Sequence, residues 1–111
     1  MNNAARDWLE ARAGAAPLSL RNAMDTALAA GRGEGSVAAV LCDAAMHALE
    51  SALQAGDDRA AALHLLAADA LLTAACEAAV DDPGEASEVA QRFGTKQLAT
   101  MFAAHLSADR A

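Results

Sequence analysis

The sequence predicts an all-α protein, a compact antiparallel helical bundle of four main helices plus a short N-terminal helix packed on one end. Three observations carry that expectation. About a third of the 111 residues are alanine, the residue with the highest intrinsic helix propensity. Apolar residues recur three and four apart along most of the chain. Residues that start or stop helices fall between those periodic stretches, at Pro17, Gly31, Ser36, Gly56, Pro83 and Gly94. Nothing alternates with the period of a strand, and no repeat of fixed length is evident. Residues 1–111 are expected to form a single domain, since a chain of this length supports one modest core and not two.

The first helix is expected over Asn3 to Ala13, capped by Asn2 or Asn3, with Trp8 and Leu9 as its apolar edge. Gly14 ends it and Pro17 prevents its continuation. The second begins near Pro17, because proline is tolerated in a first turn. Its face is Leu20, Ala23, Met24, Ala27 and Leu28, and Gly31 stops it. Gly31 to Ser36 reads as a loop. Ser36 caps the third helix, which runs to about Ala55. Leu41, Cys42, Ala45, Met46, Ala48, Leu49, Ala52 and Leu53 make a wide apolar arc there, opposite Asp43, His47, Glu50, Ser51 and Gln54.

Gly56 ends the third helix, and Asp57 or Asp58 caps a fourth that runs to about Val80. Its leucines, at 63, 65, 66, 71 and 72, spread around most of the circumference, which is the pattern of a central helix contacted on several sides. Asp82, Pro83 and Glu85 form a capping box for the last helix. Ala86, Val89, Ala90 and Phe93 give that helix one apolar face. Leu98, Met101, Phe102, His105 and Leu106 continue the stripe beyond Gly94, which marks a break or a kink.

Composition excludes several classes of function. The formal charge is −7 with histidines neutral, which opposes binding to nucleic acid or to an anionic membrane surface. The carboxylates are dispersed and not rowed, unlike a nucleic-acid mimic. The chain has one Trp, two Phe and no Tyr. A core so rich in alanine gains little area per side chain and compensates by letting helix axes approach closely, toward the low end of the usual ~8–10 Å. Asp7 and Glu10 stand where the apolar part of a signal peptide would lie. The longest apolar run, Ala60 to Cys76, reads as too short and too polar to span a bilayer. A cytoplasmic location is therefore expected. Cys42 and Cys76 lie in apolar helical runs and read as two buried free thiols.

Few residues suggest chemistry. Asp43, His47 and Glu50 lie on consecutive turns of one helix and could offer three ligands to a metal. They also occupy the polar arc, and the solvated surface is the preferred reading. His64 projects among Ala60, Ala67, Ala68, Leu71 and Ala75, as a packed or interface histidine or as a pocket residue. Asp69 sits in the most apolar segment, on an arc with Asp58, Thr73 and Glu77. It is either part of a narrow polar stripe or a buried carboxylate that needs a cationic partner. The Glu-x-x-His pairs of di-metal carboxylate bundles are missing. So are Cys-x-x-Cys, a phosphate loop, a dinucleotide fingerprint and Gly-x-Ser-x-Gly.

No catalytic residue and no cofactor is thus nominated, and the residues lean away from an enzyme. The expected function is a non-catalytic helical interaction module that self-associates as a homodimer or binds a protein partner. A second copy would supply the buried area that large side chains are too scarce to supply within one subunit. The alternative is a small-ligand or metal-binding bundle with an inter-helix pocket at His64 or Asp69.

Overall fold

The computed structural model describes residues 3–31, 35–56, 58–80 and 83–110. These form six α-helices: α1 (Asn3–Ala13), α2 (Leu18–Ala30), α3 (Val37–Ala55), α4 (Arg59–Ala79), α5 (Pro83–Arg92) and α6 (Thr95–Arg110). No strand occurs among the described residues. The Cα radius of gyration is 13.8 Å, close to the ~13 Å expected of a compact chain of this length.

Local chemistry sets the helix ends. The carbonyl of Pro17 accepts from the Arg21 N–H at 3.0 Å, so the proline opens α2 without needing an N–H of its own. The Ser36 hydroxyl accepts from the Ala39 N–H at 3.0 Å. The Asp58 carboxylate does the same for the Ala61 N–H, also at 3.0 Å. Each side chain satisfies one orphan donor of a first turn. Gly56 turns the chain between α3 and α4 with φ +78 and ψ −130, a conformation open to glycine and costly for any residue with a Cβ.

Gly94 breaks the last helical stretch in two instead of kinking it. A Cβ there would stand 2.8 Å from the Ala90 carbonyl oxygen, and the Gly94 carbonyl then accepts from the Leu98 N–H at 3.1 Å to start α6. Asn2, Asp57, Asp82 and residues 32–34 lie outside the described residues, and with them the capping box at Asp82 and most of the expected loop.

The α3–α4 hairpin is the frame. Ala44, Ala45 and Ala48 of α3 and Ala67, Ala68, Ala74 and Ala75 of α4 are all buried. Small side chains on both helices allow close approach, where many weak dispersion contacts replace the area of larger groups. Met24, Leu41, Cys42 and Leu71 are the large side chains buried completely, and all of the buried residues but Ala39 form one cluster. No buried polar or charged residue occurs among the described residues.

Helix α3, not α4, is the hub. It packs against all five other helices, whereas α4 packs against α1, α2, α3 and α5. The spread of leucines around α4 has another cause: Leu71 is buried, but Leu65 and Leu66 are 54% and 57% exposed. Helix α4 also departs from the sequence expectation about membranes. It is 21 residues long and contains an 18-residue window with a mean hydropathy of 1.4, long and apolar enough by length and composition to cross one. The helix extends beyond the run Ala60 to Cys76 at both ends, which is why the run alone reads as too short.

Helix α1 is held at the other end. Trp8 is half-buried, and the Arg12 guanidinium lies 3.7 Å from its ring centroid. Arg12 also donates to the Glu77 carboxylate at 2.8 Å, tying α1 to the C-terminal turn of α4. Glu10 pairs with Arg21 and Arg6 with Asp25 at 3.9 Å, linking α1 to α2. These pairs are largely exposed, so each contributes only ~0–1 kcal/mol and serves mainly to orient.

Candidate functional site

A large cavity lies against the α3–α4 frame. Leu49, Ala52 and Leu53 of α3, Gly56 and Asp58 of the turn, Ala61, Ala62 and Leu65 of α4, and Phe102 of α6 line a groove of about 470 Å³. Its walls are almost wholly apolar, because the wide arc of α3 continues past the point where α2 and α5 cover it. Asp58 is the one charged residue on it among the described residues, and that carboxylate already caps α4. A second depression of about 270 Å³ lies beside it, between α3 and α6, lined by Glu50, Leu53, Gln54, Met101, Ala104 and His105.

Helix α6 stands at the lip of the groove. Phe102 is 41% exposed and Leu106, one turn on, is 54% exposed. Leu98, Met101 and His105 are half-buried. The stripe read from the sequence is therefore real in its periodicity, but only part of it is covered, and α6 packs chiefly on α3. On α5, Val89 is buried while Ala86 and Ala90 face solvent, and Phe93, just past its end, is half-buried.

The residues nominated from the sequence lie elsewhere. His64 is half-buried on α4 and does not line the groove, which takes Ala61, Ala62 and Leu65 from that helix. The alanines beside it, Ala67 and Ala68, are buried. Asp69 is exposed, and its backbone carbonyl accepts from the Thr73 hydroxyl at 2.8 Å. It belongs to a solvated stripe, so no buried charge needs a partner. His64 and Asp69 are five residues apart on one helix and do not converge.

Asp43 and His47 approach each other, with 3.8 Å between the carboxylate and Nε2 and both side chains about a third exposed. Glu50 faces the depression beside α6. No group of three or more His, Cys, Asp or Glu among the described residues is arranged to hold a metal ion.

Both cysteines are free, but only Cys42 is buried. Burial pushes its thiol up to about 11. It is therefore protonated at neutral pH and a poor nucleophile. Cys76 is exposed, against the expectation of two buried thiols. Three residues beyond Thr73 and seven beyond Asp69, it falls on their solvated arc despite its alanine neighbours.

The groove is what sequence reasoning missed. Its signal was present in Leu65, one of the leucines spread around α4, and in the outward half of the α6 stripe. No family model matches the chain, and no curated protein and no solved structure was found to be similar to it.

Proposed function

We propose that this chain is a non-catalytic helical interaction module that self-associates through the apolar face at the Gly56 end of the α3–α4 hairpin. One observation carries the reading: large apolar side chains, Leu65 at 54% and Phe102 at 41% exposure, surround a groove of about 470 Å³. A contiguous uncovered apolar surface of this kind is characteristic of interaction sites. The scarcity of large residues in the rest of the core adds a motive for association, because a second copy supplies further burial. Net charge of −7 argues against nucleic acid as the partner. Light scattering over a wide range of protein concentration tests the proposal. A mass that rises from one chain to two supports it, and a strict monomer at the highest soluble concentration overturns it.

A second reading draws on the groove's volume, which lies within the ~300–1,000 Å³ of small-molecule sites. An apolar ligand would then occupy the space beside Phe102, and not the neighbourhood of His64 and Asp69. Native mass spectrometry of the purified protein separates the two readings, since a tightly held ligand adds its mass to the single chain.

A further inference from the structure

Self-association, the reading on which this inference rests, leaves open which surface of the second copy meets the groove. Charge narrows it. Residues 37–79, which include α3, α4 and the turn between them, contain six carboxylates and one arginine, a net −5. Helix α6 carries Lys96 and no carboxylate between residues 95 and 107, a net +1. Each of the other helices is neutral or negative: α1 and α2 balance their charges, α3 has Asp43 and Glu50 with no base, and α4 and α5 each have two acids and one base. Copies of a chain at −7 repel one another on approach, and the repulsion is screened only beyond ~8 Å at physiological salt. Presenting α6 to the hairpin is the approach that places positive against negative. It also brings the groove wall at Leu65 against the exposed Phe102 and Leu106, three of the exposed large apolar side chains among the described residues.

We infer that the groove is filled by α6 of a second copy, with Phe102 and Leu106 of each protomer packing against the Leu49, Leu53 and Leu65 wall of the other. Phe102 already stands at the lip of its own groove, so groove and helix lie side by side on one face. A two-fold axis through that lip presents each helix to the opposite groove at once, and the contact closes as a self-complementary dimer.

The test uses two full-length chains in a Cys76→Ser background, which removes the exposed native thiol. One carries Leu65→Cys and the other Phe102→Cys. They are mixed and treated with a short bismaleimide, and products are resolved by denaturing gel and mass spectrometry. The expected result is a cross-chain product joining positions 65 and 102, lost when the second chain carries Leu18→Cys instead, a 72%-exposed site on α2. If light scattering shows a dimer but the 65/102 product is missing or no stronger than the 65/18 product, the inference is overturned while self-association stands. If light scattering shows only monomer, both fall. Circular dichroism checks that each variant retains its helix content. Ala62→Cys, also exposed on the groove wall, replaces Leu65→Cys if that variant does not fold.

Discussion

Truncating Leu65 separates a binding role from a structural one, because the side chain is half outside the fold. Burying a leucine fully contributes about 1.5–3 kcal/mol. Leu65 is 54% exposed, so roughly half of that is available for association. A two-fold dimer contains the residue twice, which restores about 1.6–3.2 kcal/mol per dimer. Alanine keeps its methyl group, leaving an expected loss of about 1–2 kcal/mol, or a rise in the dimer dissociation constant of about 5–30-fold. The monomer loses less per chain, because the site is open to water and leaves no sealed cavity. Sedimentation velocity across a concentration series, with urea unfolding of the same sample, reads both quantities. A Leu65→Ala protein that dimerises as tightly as the parent refutes the placement of the interface. So does one that loses association only in proportion to its folding stability.

Other expectations concern the frame. Leu71→Ala removes a completely buried side chain from the contact between α4 and its neighbours and should cost about 2–5 kcal/mol, read as a lower urea midpoint at unchanged slope. Gly56→Ala meets no atom within 4 Å, so its cost is the backbone conformation alone, about 1–3 kcal/mol, read as a lower melting temperature with unchanged helix content. The two thiols should differ in kinetics: an aromatic disulfide reagent modifies Cys76 at once and Cys42 only when the protein opens. The raised folded-state value of Cys42, about 11 against an ordinary 9.0, also has a sign in stability. Below pH 9 the thiol is neutral in both states and contributes no pH dependence. Between pH 9 and 11 the unfolded chain gives up the proton first, so stability falls by up to about 3 kcal/mol. Cys42→Ala should remove that alkaline component from a series of unfolding curves.

Much of the helix pattern could be read in advance because its causes are local. Ser36 and Asp58 cap helices with their own side chains, and Pro17 opens a helix by geometry that belongs to proline itself. The α3 arc was legible for the same reason: Leu41, Cys42, Ala45 and Ala48, all buried, share a side by helical periodicity alone. The candidate site was much less legible. Asp69 interrupts an apolar run and looks anomalous in one dimension, yet with Thr73 and Cys76 it forms the solvated stripe of α4. His64 drew attention by its apolar neighbours, but the same helix gives its groove-facing positions to Ala61, Ala62 and Leu65.

The sequence by itself determined that this chain is helical, acidic and built on small side chains, since propensity, capping and charge are properties of residues and their near neighbours. It also marked Gly94 as an interruption without saying of which kind; the structure makes it a break, with α5 ending at Arg92 and α6 starting at Thr95. Only the tertiary structure decided which apolar residues are spent on the core. Leu65, Leu66 and Leu71 are chemically alike, and their different burial depends on where α3 ends, where α5 covers it and where α6 falls short. That allocation is a property of long-range packing, and it leaves Leu65, Phe102 and Leu106 among the exposed large apolar side chains.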